Sequence, residues 1–208
     1  MPSISPTKIV CVGRNYAKHA AELGNEVPVE PLIFLKPPSA LIAADEPIIL
    51  PAGVGRVDYE GEIGVVIGKR ARHVSKADAW SYVGAIVPVN DVSARDLQKK
   101  DGQWSRAKGF DTFCPVGRPV PVGSVDLAKL GVTTRVNGEV RQEAPATDMV
   151  FTIPFLIAHI SRIMTLETGD LIATGTPDGV GPLAPGDEVE VHIAGVGSVR
   201  NPVREEVL

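Results

Sequence analysis

We predict an α+β fold rich in β-strands, a roll or sandwich with a few short helices, from three features of the sequence. The 208-residue chain contains 21 glycines and 18 prolines, spread evenly, which is typical of many tight turns. Valine and isoleucine occur in short runs, the composition of strands. Few stretches have helical character. The length suits one domain with a sizeable core, so we expect a single domain over residues 1–208.

Short apolar and β-branched runs, bounded by turn residues, predict the strands. These are Lys8–Val12, Leu32–Lys36, Glu60–Ile67, Ser81–Asn90, Val132–Val136, Leu171–Thr174 and Glu188–Ile193. Many short strands at close spacing, with few helices between them, favour a β-rich domain over a doubly wound α/β sheet.

Three stretches predict helices: Tyr16 to about Leu23, a segment after Asn90 that runs to about Lys100, and Ile153–Met164. Glycine and asparagine at positions 24 and 25 end the first helix. Either Asp91 or Ser93 is expected to cap the second. The third is expected to bury one face, formed by Phe155, Ile157, Ile160 and Ile163.

The composition excludes several classes of protein. Lysine and arginine number 21 and aspartate and glutamate 25, a net charge of −4 without a basic run, which argues against a nucleic-acid or anionic-membrane partner. A charged fraction of 22% and a hydrophobic fraction of 44% exclude a disordered chain. No apolar run is long enough to cross a bilayer, and Met1–Pro6 does not have the pattern of a secretion signal.

The two cysteines, Cys11 and Cys114, are far apart and form no C-x-x-C pair. They build neither a zinc site nor a disulfide scaffold, which indicates a reducing, cytoplasmic location. We expect both to be structural rather than catalytic, with Cys11 acting as a small buried hydrophobe in an apolar strand.

The segment from Val57 to Gly68 carries the clearest chemical signal. Strand alternation places Glu60 and Glu62 on one face, roughly 7 Å apart. Two like charges at the start of a buried strand need neutralisation, and oxygen ligands without histidine or cysteine favour magnesium, manganese or calcium over zinc. The alternative, an edge strand with two solvated glutamates, is equally compatible with this segment. Gly61 and Gly64 are expected to leave room for ligand and water.

Asp91 and a histidine–glutamate pair are further candidates. Asp91 ends an apolar strand, where a third metal ligand is well placed, although by itself a helix cap is the better interpretation. His19 and Glu22 lie three residues apart on a helix and therefore share a face. Next to a metal such a pair can deprotonate water, whereas most isolated pairs of this kind are surface contacts.

Lys108 and Thr176 complete the candidates found from the residues. Lys108 lies in a Gly/Phe-rich setting where an ammonium group can meet a substrate carboxylate or enolate, or be simply solvated. The glycine-rich turn around Thr176 lacks the G-K-[ST] ending of a phosphate loop, so we expect it to carry a hydroxyl into a pocket. No G-x-S-x-G elbow is present, which excludes the usual serine hydrolase.

In order along the chain, these segments resemble the fumarylacetoacetate hydrolase superfamily. The matching motifs are Val12-Gly13-Arg14-Asn15-Tyr16 with His19 and Glu22, Asp58-Tyr59-Glu60-Gly61-Glu62, Asn90-Asp91-Val92-Ser93-Ala94-Arg95-Asp96, Lys108-Gly109-Phe110-Asp111, and Thr174-Gly175-Thr176-Pro177. They span nearly the whole chain, and its length resembles that of the single-domain acylpyruvase members.

The resemblance implies a mixed β-sandwich roll of the superfamily's C-terminal-domain type, one Mg²⁺ or Mn²⁺ per subunit, and a homodimer. It implies three metal ligands, Glu60, Glu62 and Asp91, and three catalytic residues, the water-activating pair His19 and Glu22 with the charge-stabilising Lys108. Arg95, Gln98 and Thr176 would line the substrate pocket, with Arg14 near it. Asp58 is not a ligand in this superfamily.

The implied activity is hydrolysis of the C–C bond of 2,4-dioxo acids, acylpyruvates such as fumarylpyruvate or acetylpyruvate, to pyruvate and a carboxylic acid. Two alternatives use the same site: decarboxylation or tautomerisation of oxaloacetate, and isomerisation or decarboxylation of a 2-hydroxy-dienedioate in aromatic catabolism. A non-catalytic, metal-stabilised binding module is an alternative from a different class.

Overall fold

The computed structural model describes residues 4–22, 24 and 26–207, and it confirms the β-rich α+β class. Within these residues there are four short α-helices: α1 Ala17–Glu22, α2 Arg95–Asp101, α3 Ser105–Lys108 and α4 Ile153–Ile163. The strands are β1 Ile9–Gly13, β2 Leu32–Lys36, β3 Leu41–Ile42, β4 Ile48–Leu50, β5 Val57–Tyr59, β6 Gly61–Ile67, β7 Val83–Asn90, β8 Ser93–Ala94, β9 Cys114–Pro115, β10 Val120–Pro121, β11 Gly131–Val136, β12 Glu139–Pro145, β13 Leu171–Ala173, β14 Gly181–Pro182, β15 Glu188–Ile193 and β16 Gly197–Glu205.

Two larger sheets dominate the described residues. The six-stranded sheet has the order β10-β7-β6-β13-β1-β2, in which only β1 and β13 pair in parallel. The five-stranded sheet has the order β12-β11-β15-β16-β4, with a parallel β16–β4 pair. Smaller sheets join β14-β5-β8 and β3-β9. The mixed pairing agrees with the predicted mixed sandwich roll.

The main core lies where the two larger sheets and α4 meet. Ile63 and Val65 of β6 share one buried cluster with Val132 of β11, Val191 of β15 and Leu156 of α4. The alternating side chains of β11 and β15 fit this arrangement, because one face of each strand is buried and the other is partly solvated. Removal of this apolar surface from water is the main force that holds the sheets together.

All seven predicted strands are confirmed; two have the predicted bounds, and the end points of the others differ by one or two residues. The start of β7 moves to Val83 because Ala79–Tyr82 forms a 3₁₀ turn. Sequence reasoning missed two long strands, β12 and β16. Both are rich in charged residues and contain proline, so they lack the apolar runs that mark the other strands.

The first two predicted helices form, but the predicted N-terminal cap of the second helix is not observed. Helix α1 ends at Glu22, and the predicted end at Leu23 lies outside the described residues. Helix α2 begins after Ala94 without a side-chain cap. Ser93 instead lies in β8 and pairs with Asp58 of β5, and the side chain of Asp91 is bound by two lysines. The prediction that either residue caps α2 is therefore wrong.

Helix α4 ends one residue before the predicted end, and it buries Ile157 and Ile160 as predicted but not the other two residues of the predicted face. Its buried apolar residues are Ile153, Leu156, Ile157, Ala158 and Ile160. Phe155 and Ile163, which we placed on the buried face, are exposed. The spacing of three and four residues that starts at Ile153 is the pattern that faces the sheets.

Gly61 and Gly64 do not leave space for ligand, contrary to the sequence prediction. A Cβ atom on Gly61 would lie 1.9 Å from Thr134 Oγ1. A Cβ atom on Gly64 would lie 2.4 Å from Val89 Cγ2 and 2.6 Å from Val87 Cγ2. Protein atoms fill the room above both glycines, which are needed so that neighbouring strands pack closely on β6.

We therefore expect Gly64→Ala to destabilise the chain by about 1–3 kcal/mol, because an added methyl group overpacks the strand. Urea unfolding followed by circular dichroism measures this loss. Gly123→Ala is the matched control, because its Cβ meets no atom within 4 Å. Equal unfolding midpoints for the two variants would contradict the packing role of Gly64.

No helix among the described residues is both long enough and apolar enough to span a membrane.

Candidate active site

A cavity of about 430 Å³ brings together the residues singled out in the sequence. It is lined by nine of the ten predicted site residues: Arg14, His19, Glu22, Glu60, Glu62, Arg95, Gln98, Lys108 and Thr176. The tenth, Asp91, does not line the cavity but contacts Lys108, whose Nζ is 2.7 Å from the Asp91 carboxylate. Residues that sequence reasoning did not select form the remaining lining: Val12, Gly13, Phe34, Lys99 and Trp104.

Glu60, Glu62 and Asp91 form a buried acidic triad. One carboxylate oxygen from each lies within 4.8 Å of the other two. The register of the central strands produces this arrangement, because Gly61 of β6 pairs with Asn90 of β7. Both glutamates are adjacent to Gly61 in the sequence and Asp91 is adjacent to Asn90, so the pairing brings the three carboxylates together. β6 lies between β7 and β13, so the alternative of a solvated edge strand is wrong.

Positive side chains surround two members of the triad. Lys108 Nζ lies 2.7 Å from both Glu60 Oε2 and Asp91 Oδ2. Lys36 Nζ lies 2.6 Å from Asp91 Oδ1, and Arg95 forms a 2.6 Å ion pair with Glu60. Lys36 and Lys108 are buried, so the interpretation of Lys108 as a solvated surface lysine is wrong.

These contacts determine the charge states of Glu60 and Lys108. Burial would raise the pKa of Glu60, but the charges of Lys108 and Arg95 outweigh it and lower that pKa well below its usual range. Burial would likewise lower the pKa of Lys108, but the carboxylates of Asp91 and Glu60 outweigh it and raise that pKa. Both groups are therefore charged at neutral pH.

Glu62 is the member of the triad that forms no ion pair among the described residues. It is 1% exposed, and the contact to its carboxylate is a 2.7 Å hydrogen bond from the backbone N–H of Gly175. Burial and the neighbouring carboxylates of Asp91 and Glu60 raise its pKa. A buried carboxylate without a countercharge is costly, so a hard divalent cation fits this set of oxygen donors.

His19 and Glu22 lie side by side at the cavity. His19 Nδ1 is 3.3 Å from Glu22 Oε2, and the backbone N–H of Gly179 donates to Glu22 Oε1 at 3.0 Å. His19 is 4% exposed whereas Glu22 is exposed, so the pair joins a buried imidazole to a carboxylate that reaches solvent. Glu22 thus orients the ring through Nδ1 and leaves Nε2 as the nitrogen free to accept a proton.

Arg95 is fixed by a carboxylate that does not belong to the triad. Its Nε donates to Asp58 Oδ2 at 2.8 Å, and Arg56 binds the same carboxylate through two hydrogen bonds. Its Nη1 donates to Gln98 Oε1 at 2.9 Å. Asp58 therefore positions Arg95 at the cavity, and arginine side chains bind both of its carboxylate oxygens.

The glycine-rich turn carries the hydroxyl of Thr176 to the cavity. Its Oγ1 donates to the carbonyl of Gly61 at 2.9 Å and accepts from Gln142 Nε2 at 2.7 Å. Gly175 has a φ of +100°, and a Cβ there would lie 2.7 Å from the Cβ of Asn15. Only glycine fits this close approach without strain.

Sequence reasoning missed three residues that support the site. Lys36 binds Asp91, Asn90 accepts a hydrogen bond from the backbone N–H of Glu60, and Gln142 ties Gly61 to Thr176. A lysine in the apolar run of β2 was an available signal, because a buried ammonium group requires an acidic partner. Asn90 begins one of the matching motifs but was given no role, and nothing local marks Gln142, whose partners are distant in the sequence.

Cys11 and Cys114 are both buried and unpaired. Burial raises the pKa of Cys114 to about 12 and also raises that of Cys11. Thiols of this kind stay protonated and hidden at neutral pH, which agrees with the expectation that neither is a nucleophile.

Comparison with known proteins gives the family that the sequence motifs indicate, over nearly the whole chain. The chain is 46% identical to human mitochondrial oxaloacetate tautomerase FAHD1 over 196 residues. The aligned region covers 92% of this chain and 89% of that protein. The structure of 5-carboxymethyl-2-hydroxymuconate delta-isomerase from Mycobacterium smegmatis has a TM-score of 0.91 at 45% identity, over 99% of this chain and 81% of that one. Fumarylpyruvate hydrolase from Pseudomonas aeruginosa, in complex with Mn²⁺ and pyruvate, has a TM-score of 0.92 at 31% identity, over 98% and 91%.

The family profile described as fumarylacetoacetate (FAA) hydrolase C-terminal matches residues 8–204, a range that contains the cavity, the acidic triad and the His19–Glu22 pair. The chain belongs to the fumarylacetoacetate hydrolase family.

Proposed function

We propose that this protein is a divalent-metal-dependent hydrolase that cleaves acylpyruvates to pyruvate and a carboxylic acid. The observation that carries the proposal is the meeting of the His19–Glu22 pair and the acidic triad in one cavity. This combination offers a base for water next to a place where a 2-oxo acid can bind. The similarity to a fumarylpyruvate hydrolase in complex with Mn²⁺ and pyruvate supports the proposal.

Glu60, Glu62 and Asp91 would hold one Mg²⁺ or Mn²⁺, since both ions prefer oxygen ligands. When bound, the ion supplies Lewis-acid stabilisation of negative charge on the 2-oxo acid. Lys36, Lys108 and Arg95 pair with Glu60 and Asp91, whereas none of them pairs with Glu62. A divalent cation would compensate the charge of Glu62 and add positive charge that attracts an anionic substrate.

We assign the proton transfer to His19 Nε2, because Nδ1 is turned to Glu22. It takes a proton from a water molecule whose oxygen attacks the C4 carbonyl carbon of the acylpyruvate. The C3–C4 bond breaks, its electron pair stays with the pyruvyl half, and the proton on His19 passes to C3. Lys108 places positive charge beside that half, where negative charge develops.

A product analysis tests the proposal. The purified protein is incubated with acetylpyruvate, fumarylpyruvate or oxaloacetate, each with Mg²⁺ or Mn²⁺ and with or without chelator. We expect metal-dependent formation of pyruvate and acetate or fumarate in equal amounts. Loss of either acylpyruvate without pyruvate, or no turnover, would contradict it.

The second candidate is tautomerisation of oxaloacetate, favoured by the 46% identity to a protein of that name. This reaction moves a proton between C3 and oxygen and needs no attacking water. It predicts rapid keto–enol exchange of oxaloacetate with little hydrolysis of acylpyruvates. Decarboxylation would release CO₂ with pyruvate, and isomerisation of a dienedioate would shift its conjugated absorption. Metal-dependent stabilisation without any turnover would indicate the non-catalytic binding module.

We also propose that the protein acts as a homodimer in the cytoplasm, as the family resemblance and the unpaired cysteines suggest. Sedimentation analysis of the purified chain tests the dimer.

A further inference from the structure

We propose that Gln142 is a positioning residue that fixes the His19–Glu22 pair relative to the acidic triad. This inference rests on the proposed function and adds a residue of the five-stranded sheet to the same site. Gln142 lies on β12 and does not line the cavity. It acts through the glycine-rich turn, residues 174–179, and through the start of β6.

The side-chain amide of Gln142 holds two separate segments of the chain. Gln142 is 1% exposed, and its Oε1 accepts the backbone N–H of Gly61 at 3.0 Å. Its Nε2 donates to Thr176 Oγ1 at 2.7 Å and to the carbonyl of Pro177 at 2.8 Å. The orientation of the amide follows from these partners, because the N–H of Gly61 can only donate and the carbonyl of Pro177 can only accept. Gln142 therefore joins β12, the start of β6 and the glycine-rich turn.

The glycine-rich turn in its turn holds both parts of the site through backbone amides. The N–H of Gly175 donates to Glu62 Oε2 at 2.7 Å, and the N–H of Gly179 donates to Glu22 Oε1 at 3.0 Å. The two residues that accept from Gln142 lie between these two amides in the sequence. A shift of the turn therefore moves Glu22 and Glu62, the carboxylates of the base pair and of the triad.

The turn also lies directly on the backbone of β12. Gly179 has a φ of +94°, and a Cβ there would lie 2.0 Å from the carbonyl oxygen of Arg141. Tyr59 Oη donates to the carbonyl of Gly179 at 2.9 Å and fixes this end of the turn from β5. Gln142 adds the contact that ties the middle of the turn both to β12 and to the strand that follows Glu60.

The proposed reaction depends on the spacing that these contacts set. A displacement of about 1 Å between a catalytic group and its substrate lowers the rate about 100-fold. Loss of a hydrogen bond that supports a metal ligand lowers metal affinity or activity about 10- to 100-fold. Without the Gln142 amide, the N–H of Gly61 and the carbonyl of Pro177 lose this partner, and the turn is no longer held to β12 at its middle.

Gln142→Met tests this role, because methionine keeps the length of the side chain but forms none of the three hydrogen bonds. Calorimetry with MnCl₂ should show an affinity about 10-fold weaker than that of the parent. At saturating Mn²⁺, the kcat for acylpyruvate hydrolysis should fall about 10- to 100-fold, whereas KM should stay within threefold. The NMR signal of the His19 ring, identified by its absence in His19→Gln, should shift in Gln142→Met. Gln142→Asn, which is one methylene group shorter, should show the same changes.

Two control variants separate positioning from a general loss of stability. Asn201→Leu removes a buried amide that donates to the carbonyls of Ala43 and Glu46, none of which lines the cavity. Thr134→Val changes the residue directly opposite Gln142 in the sheet, a buried side chain whose hydroxyl has no hydrogen-bond partner among the described residues. Both variants should keep the Mn²⁺ affinity and kcat within twofold of the parent.

Parent-like Mn²⁺ affinity and kcat in Gln142→Met, equal losses in Asn201→Leu, or failure of both Gln142 variants to fold would overturn the proposal. An absence of acylpyruvate hydrolysis by the parent would contradict the proposed function instead. The Mn²⁺ affinities and the His19 signal need no turnover, so they would still decide the role of Gln142.

Discussion

Glu62→Gln is expected to abolish both metal-dependent stabilisation and turnover while the chain remains folded. Glu62 is the triad carboxylate without an ion pair among the described residues, so its charge is the one that a divalent cation compensates. Loss of a residue that only hydrogen-bonds to a metal ligand costs about 10- to 100-fold in metal affinity. Loss of Glu62, a ligand itself, should therefore weaken Mn²⁺ binding at least about 100-fold. Glutamine keeps the shape and an oxygen that accepts the Gly175 N–H bond.

Thermal unfolding with and without Mn²⁺ measures this effect. At a concentration 100 times its dissociation constant, the ion should stabilise the parent by about 2.7 kcal/mol. For a chain of this size the corresponding rise in Tm is about 5–10 °C. Glu62→Gln should show a rise of at most about 1–2 °C, and its Tm without metal should equal or exceed that of the parent, because burial opposes the charged form of Glu62.

Glu205→Gln is the control, since Glu205 is exposed at the end of β16. It should keep the full response to Mn²⁺. A parent-like rise in the Tm of Glu62→Gln would show that this carboxylate is not a ligand.

His19→Ala is expected to lower the kcat for acylpyruvate hydrolysis by about 100- to 10,000-fold, the usual contribution of a general base. The metal site should remain, because none of the three carboxylates contacts His19 through a hydrogen bond. Calorimetry should therefore give parent-like affinities for Mn²⁺ and for oxalate, which resembles the 2-oxo acid end of the substrate.

His19→Gln keeps most of the side-chain volume and separates loss of the base from loss of packing. His159→Ala is the matched control, because His159 stacks on Phe155 of α4 and does not line the cavity. Glu22→Gln should lower kcat less than His19→Ala, since it changes only the orientation of the ring. Parent-like hydrolysis by His19→Ala would exclude the assigned base.

Much of this site could be predicted because its residues lie in short segments with recognisable patterns. Two glutamates at the start of an apolar strand, an aspartate at the end of the next, and a histidine three residues before a glutamate are visible in short segments. The structure brings them together because β6 and β7 pair with Gly61 opposite Asn90. Register between neighbouring strands follows from their apolar patterns, so the meeting of the triad was within reach of sequence reasoning.

The parts that escaped prediction depend on contacts between distant segments. Gln142 lies on β12, a polar strand that was itself missed, and it reaches Gly61 and Thr176. Gly61 and Gly64 suggested open space, yet the space is occupied by side chains of β11 and β7. A glycine in a strand shows that bulk is excluded but does not show what excludes it.

The central claim is that Glu60, Glu62 and Asp91 together bind one hard divalent cation. Anomalous diffraction from a crystal soaked in MnCl₂ tests it most directly. We predict one strong manganese peak within about 2.0–2.3 Å of an oxygen from each of the three side chains, as expected for oxygen ligands. A map with no peak among these oxygens, in a crystal that binds manganese elsewhere, would contradict the account.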